Sequence, residues 1–458
     1  MNRLAYYIII FLLAILCNSC RIGRVHKLPE MNIPTEFSSE GLEKGVAADI
    51  GWSTIYADTI LQDLITKALQ NNKDFLIASS HIKEMIANKR INFSSLLPSV
   101  DLDISAKRNF TNYAGDNKTY DSELAAGGAI AWELDVWGKL RWQNEAGVAA
   151  YLQSVEAQRA LQLTIIAQVA QTYFELKALD RELTIVKQTL DARREGVRFA
   201  KLRYEGGLTS EIPYRQSLVE LARTETLVPK LENELKLKEN DLSLLLGEFP
   251  SEIPRGKDSP LLAIPNNLPV DLPSTLLQRR PDVRLAEQQL REANANVGTA
   301  LTNMFPTIKL TGNLGFENSE LTDLLKSPAW LISGAITGPI FNMGRNRATH
   351  KAAQAIYEQE VYSYEKKILD VFREVNNAIS TFVKTKEMYK SAEALYQSAK
   401  SYHELARLQY VNGVINYIDV LDAQRQLFDA EISLNDALLN ELTATVDLYK
   451  VLGGGVSM

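Results

Sequence analysis

The sequence predicts a mainly α protein, duplicated internally, whose long helices carry a membrane β-barrel to which each chain adds four strands. Three observations predict it. Short motifs recur after about two hundred residues, which marks a repeated unit. Two proline-free stretches carry apolar side chains at helical spacing. Four segments of about ten residues set apolar side chains along one face at every second position, the pattern of strands that face lipid on one side.

Composition narrows the function. Hydrophobic residues make up 46% of the 458 and charged residues 23%, the balance of a folded chain. A net charge of -6 argues against nucleic acid as the partner, since phosphate binding needs a basic face. Both cysteines, Cys17 and Cys20, lie at the amino terminus, so no disulfide or thiolate metal site is expected in the body. His26, His81, His350 and His403 are scattered. His403-Glu404 would start a zinc-protease motif, but Arg407 stands where its second histidine belongs. There is no Gly-rich phosphate loop, and no enzyme activity or cofactor is expected.

The amino terminus reads as a leader. Arg3 precedes the apolar run Leu4 to Leu16, which is shorter than the ~20 residues a transmembrane helix needs. Cys17-Asn18-Ser19-Cys20 resembles a bacterial lipobox, with Cys20 as the lipidated first mature residue; the usual leucine three positions earlier is Cys17 here. Arg21, in place of Asp, then implies sorting to the outer membrane. The expected organisation begins with a signal peptide over 1–19 and a lipidated extended segment over 20–56.

The repeat sets the remaining boundaries. Leu97-Pro98-Ser99-Val100 recurs as Phe305-Pro306-Thr307-Ile308, 208 residues on. Trp137-Gly138-Lys139 recurs as Met343-Gly344-Arg345, and Arg203-Tyr204-Glu205-Gly206-Gly207 as Gln409-Tyr410-Val411-Asn412-Gly413, both 206 residues on. A first repeat is expected over 57–247 and a second over 273–453. The linker between them, 248–272, has Pro250, Pro254, Pro260, Pro265 and Pro269, with Pro273 just beyond, too many prolines for a helix or a sheet interior.

Each repeat is expected to run helix, two strands, very long helix, turn, helix. Lys139 to Tyr204 has Val169, Tyr173, Leu176, Leu179, Leu183, Val186 and Leu190 spaced mainly by three and four. At about 1.5 Å per residue it is roughly 100 Å long. Thr59 to Leu97 and Glu211 to Leu246 together match that length, so two shorter helices can stack along one long one and leave no apolar seam exposed. The second repeat offers Pro273 to Asn303, Gly344 to Tyr410 and Asn416 to Leu452.

The strands are expected at Val100 to Lys107, Leu124 to Val136, Ile308 to Glu317 and Ala329 to Asn342, joined by polar loops at Asn109 to Tyr120 and Asn318 to Ser327. Trp132, Trp137 and Trp142 suit an interfacial belt. Four strands cannot close a membrane barrel, which begins at about eight, and open edges find no partners in lipid. A chain that spans a membrane this way must oligomerise, as two copies or as three. A half-buried soluble sheet, or a coiled-coil envelope scaffold without a pore, is the competing reading.

Trp132-Glu133-Leu134-Asp135-Val136-Trp137-Gly138-Lys139-Leu140-Arg141 resembles the strand-to-helix hallmark of TolC-like outer-membrane factors. Arg279-Arg280-Pro281-Asp282-Val283 resembles a signature of the OprM/NodT-type lipoproteins that serve resistance-nodulation-division pumps. The resemblance covers nearly the whole mature chain. It implies a homotrimer with a shared twelve-stranded β-barrel, an α-helical tunnel in the periplasm, and docking to a periplasmic adaptor and an inner-membrane transporter. The implied role is passive export through the outer membrane.

The turn Asn412-Gly413-Val414-Ile415-Asn416-Tyr417-Ile418-Asp419-Val420-Leu421-Asp422 has a stop signal at Gly413 and a cap at Asn416. Asp419 and Asp422 share a helical face. In TolC-like proteins the matching pair forms a carboxylate ring at the periplasmic entrance. Carried over, it would favour cations and bind blocking metal ions. Asp419 has a second reading as part of a cap. Ile415 replaces a basic residue of some relatives, and the first-repeat turn has Pro213 and no aspartate, so Arg–Asp closure links are not expected. Tyr204, Gly207, Tyr410 and Gly413 mark the two turns, the tyrosines packing between coils.

Overall fold

The computed structural model describes residues 21–34, 51–113, 117–256 and 273–454. The expected signal peptide, Cys20 and most of the Pro-rich linker lie outside the described residues. The first repeat contains α1 (Trp52–Ile55), α2 (Thr59–Asn71), α3 (Lys73–Ser94), β1 (Ser99–Tyr113), β2 (Asn117–Leu134), α4 (Lys139–Glu205), α5 (Ile212–Glu225) and α6 (Leu227–Leu245). The second contains α7 (Pro273–Arg279), α8 (Pro281–Thr302), β3 (Thr307–Asn318), a 3-10 turn (Leu324–Lys326), β4 (Pro328–Thr337), α9 (Arg345–Val411) and α10 (Tyr417–Val451).

The duplication is written into the backbone. Gly138, Gly207 and Gly247 have positive φ, and so do Gly344, Gly413 and Gly453, each 206 residues later. At the ends of both long helices the bonds repeat. Gly207 N donates to Tyr204 O and Leu208 N to Arg203 O; Gly413 N donates to Tyr410 O and Val414 N to Gln409 O. That doubled bond satisfies carbonyls the helix leaves open, and it needs a left-handed residue.

The shorter helices are broken where continuous ones were expected. Asn72 ends α2, accepts from Phe75 N to start α3, and donates to Leu245 O at the end of α6. In the second repeat Arg280 separates α7 from α8 and donates to Val451 O at 3.0 Å, at the end of α10. Both repeats thus tie a helix break to the last turn of their final helix. Arg280 is buried with Asp282 and Glu374 as ion partners, which offset its desolvation.

The strands form one antiparallel meander, β1-β2-β3-β4. Leu102 faces Gly128, which faces Leu314, which faces Trp330. The β1–β2 hairpin is longer than expected: pairing continues from Lys107↔Glu123 to Tyr113↔Asn117, through residues read as loop. β4 is shorter than expected and stops at Thr337, before Gly338-Pro339, where proline cannot continue the ladder. Gly127 and Gly315 are register partners. A Cβ on Gly315 would lie 2.3 Å from Ala126 O, and one on Gly127 2.6 Å from Leu314 O, so these backbones meet where no side chain fits.

The residues divide into two compact units. The first comprises Met1–Met31, Ser80–Glu156 and Arg284–Lys367 and contains the whole sheet. The second comprises Asn32–Ser79, Ala157–Val283 and Ile368–Met458. In the second, α4 buries Ile165, Ile166, Val169, Ala170, Tyr173, Phe174 and Leu176, the face its apolar spacing marks out. Tyr173 Oη donates to Asp58 Oδ2 at 2.8 Å, and Asp58 caps α2 through Ile60 N and Leu61 N. The coil is not sealed as expected. On α9, Met388, Leu395 and Tyr402 recur every seven residues and stay exposed, at 55%, 53% and 39%. A heptad row left bare in this way is a seam that wants a second helix, which the described residues do not supply.

Candidate functional site

In the first unit, the sheet presents one largely apolar face. Val100, Leu102 and Ile104 on β1, Ile130 on β2, Leu314 on β3, and Trp330, Ile332 and Ile336 on β4 are each at least half exposed. Side chains of this size gain on the order of 2 kcal/mol each on leaving water, so such a face requires an apolar medium. The other face is mixed and polar. Register places Asp101 beside Ala129 and Asn313, and Thr311 Oγ1 lies 2.8 Å from Ser333 Oγ. Lys107 and Glu123 pair at 3.2 Å. Among the described residues no helix is long and apolar enough to cross a membrane, so the sheet is the candidate membrane segment.

The hallmark segment at the end of β2 acquires a physical reading residue by residue. Asp135 accepts from Leu140 N at 2.9 Å and Arg141 N at 3.0 Å, capping α4, and Arg141 Nε returns to it at 3.0 Å. Gly138, at φ 84, makes the left-handed step into the helix. Trp137 stacks on Phe305 and donates to Pro306 O at 2.7 Å, joining the first repeat to the second. Trp132 Nε1 donates to Leu96 O. Trp142 departs from the expected interfacial belt: it is 2% exposed and its ring fills a slot beside Gly298 of α8. Its burial next to a glycine more than a hundred residues away left no local signal.

In the second unit, the turns between long and short helices carry the other candidate residues. Asp419 Oδ2 accepts from Asn416 N at 3.0 Å while the Asn416 side chain accepts from the first turn of α10, a reciprocal capping box. Asp422, one turn on, accepts from Gln426 Nε2 at 2.8 Å. Both aspartates are half-buried. Each turn tyrosine packs on an aromatic of the helix that follows: Tyr204 stacks on Tyr214, and Tyr410 lies 5.5 Å from Tyr417. The Arg203 guanidinium sits over the Tyr410 ring at 5.0 Å, linking α4 to α9. A Cβ on Gly196 would lie 2.8 Å from the Tyr417 hydroxyl, so α4 and α10 approach closely there. Burial, with Tyr410 beside it, pushes that hydroxyl up to about 12.

A buried charge cluster stands behind these turns. Glu220 on α5 receives Arg193 of α4 at 3.1 Å and Arg425 of α10 at 3.0 Å. Arg193 also donates to Glu220 O at 2.6 Å and to Thr224 Oγ1. These three charges are 27 and 205 residues apart, so no sequence spacing reveals them. Among the described residues no group of three or more His, Cys, Asp or Glu is placed to hold a metal ion.

Known proteins share this architecture. The family model described as outer membrane efflux protein matches residues 64–248 and 272–454. The cation efflux system protein CusC of Escherichia coli O6:H1 is 30% identical over 97% of this chain and 98% of its own length. The toluene efflux pump outer membrane protein TtgF of Pseudomonas putida is 34% identical over 89% of this chain and 86% of its own. The open-state outer-membrane channel MtrE of Neisseria gonorrhoeae superposes with a TM-score of 0.88 at 27% identity, over 96% of this chain and 99% of that one. The apolar four-stranded face, the doubled helix-turn pattern and these full-length likenesses agree: the chain belongs to the outer membrane efflux protein family, as an outer-membrane export channel of a tripartite efflux pump.

Proposed function

We propose that three copies assemble around one axis. Their sheets close a twelve-stranded β-barrel in the outer membrane, and their helices form the wall of a periplasmic tunnel. The chain is a passive duct: a periplasmic adaptor and an inner-membrane transporter of the resistance-nodulation-division class supply selection and energy. One observation carries this reading. β1 and β4 each keep an unpaired edge on a sheet with a lipid-type face, and lipid offers such edges no hydrogen bonds. The uncovered heptad seam of α9 supports the same conclusion, since a neighbouring copy supplies the second helix it needs.

Cys20 carries the acyl anchor. Asp419 and Asp422 line the periplasmic mouth, so three copies contribute two carboxylates each and favour cations over anions. Relatives bearing the names cation efflux and toluene efflux share this scaffold, which supports a duct that leaves substrate choice to the partner pump. The test is planar-bilayer recording of the purified oligomer. Wild type conducts and is blocked by trivalent metal ions from the periplasmic side; Asp419→Ala with Asp422→Ala conducts with weakened block. Absence of conductance refutes the duct, and unchanged block in the double variant refutes the carboxylate ring.

A further inference from the structure

The residues that follow Cys20 are seated in a built slot, and the function above does not use it. Ile22 is held on both sides of its peptide: its N–H donates to Trp137 O at 3.2 Å, and its carbonyl accepts from Trp142 Nε1 at 2.8 Å. The Arg21 guanidinium lies 3.3 Å from the centre of the Trp142 ring and pairs with Glu145. Glu145 also receives Arg291 of α8 at 3.4 Å. Asn294 Nδ2, from the same helix, donates to Arg24 O at 3.2 Å.

Glycines make the room. Gly23 has φ 137, and a Cβ there would lie 2.6 Å from the Trp142 ring. A Cβ on Gly298 would lie 2.4 Å from the same ring. A Cβ on Gly138 would lie 2.9 Å from the Arg21 side chain. The segment therefore touches the β2–α4 junction of the first repeat and α8 of the second, all within one compact unit.

We propose that the slot formed by Trp137, Trp142, Glu145, Asn294 and Gly298 is a docking site for residues 21–24. This slot, and not the acyl chain, holds the amino terminus at the strand-to-helix junction and fastens the two repeats together there. The docking of residues 21–24 does not itself depend on acylation of Cys20.

The experiment is limited trypsinolysis of the purified, detergent-solubilised oligomer, read by mass spectrometry at the Arg24–Val25 bond. The scissile carbonyl is the one Asn294 holds. Wild type and the non-acylated Cys20→Ser chain cut slowly. Gly298→Leu, which evicts the Trp142 ring, cuts about tenfold faster or more, because local release replaces a docked segment. Equal rates in wild type and Gly298→Leu overturn the proposal, as does a Cys20→Ser chain cut as fast as Gly298→Leu. Where Gly298→Leu fails to assemble, Arg21→Ala decides: it removes the stacking and the ion pair but adds nothing to the space beside Gly298 that the Trp142 ring fills, and unchanged protection refutes docking. The mass of the terminal peptide reports acylation separately, so an unmodified Cys20 with a protected Arg24 bond refutes the anchor alone.

Discussion

Glu220→Gln keeps the shape of the buried cluster and removes the carboxylate that both arginines share. Arg193, with 8% of its side chain exposed, then faces Arg425 and Arg223 with only the weaker pull of Asp429 to oppose them. Its burial already pushes the guanidinium below its ordinary value, and Glu220 is the largest influence in the opposite direction. Breaking a buried ion pair by neutralising one partner costs about 3–5 kcal/mol. Arg193 keeps the Glu220 carbonyl and the Thr224 hydroxyl, which favours the low end. Arg425 is 40% exposed and finds water, so its share is under about 1 kcal/mol. The expected loss is about 3 kcal/mol, read as a lower guanidinium midpoint in the helical circular dichroism signal at unchanged slope. The triple change Arg193→Met, Glu220→Leu, Arg425→Met is expected to recover most of the loss, because an apolar core of similar volume needs no pairing. A Glu220→Gln midpoint equal to wild type, or a triple variant as weak as the single, refutes the reasoning.

Gly315→Val drives a Cβ into the backbone of β2 at Ala126, where nothing flexible can yield; loss of bilayer conductance and of the oligomer on native gels is expected, with helical signal largely kept. The amino-terminal segment is expected to loosen in acid. Burial holds the His26 imidazole below its ordinary value of 6.5, Arg291 adds to this, and Glu287 and Glu145 oppose it. A depressed histidine value means the docked state prefers the neutral ring. Its contribution is complete above about pH 6.5 and is lost as pH falls through the docked value. A tryptophan fluorescence titration should show this transition in wild type and not in His26→Asn; identical titrations refute it.

Several features were legible because they are local chemistry. Gly207 and Gly413 follow long apolar-periodic stretches, and only a left-handed residue completes that helix end. The alternation from Val100 to Lys107 marks a two-faced strand, and its faces are as the pattern implies. What escaped is decided at a distance. The break at Asn72 depends on Leu245 O, 173 residues away, and nothing in the surrounding residues forbids a continuous helix. The outer part of the β1–β2 hairpin is mostly polar, with Phe110 and Tyr120 paired across the strands but no sustained apolar alternation, so it reads as loop. Trp142 looked interfacial by composition, while its place is set by Gly298 and by the amino-terminal segment.

The two turns of the duplicated unit have kept one half of their chemistry and exchanged the other. Both end a long helix with the same glycine-centred bonds, yet α5 begins after Glu211 with Pro213 in its first turn and no side-chain cap, whereas α10 begins with the Asn416–Asp419 box. Asp419 is therefore committed twice, to its cap and to the proposed pore mouth. One of its oxygens already holds the Asn416 amide, and releasing it costs about 1 kcal/mol of helix start. Asp422 accepts from the exposed Gln426 side chain, which a metal ion displaces at little cost. The two carboxylates should thus divide their labour. Asp422→Asn is expected to remove most of the trivalent-ion block with unchanged thermal stability. Asp419→Asn is expected to lower stability slightly and to leave most of the block. Equal loss of block in the two single variants, measured in bilayers alongside their melting curves, contradicts this division.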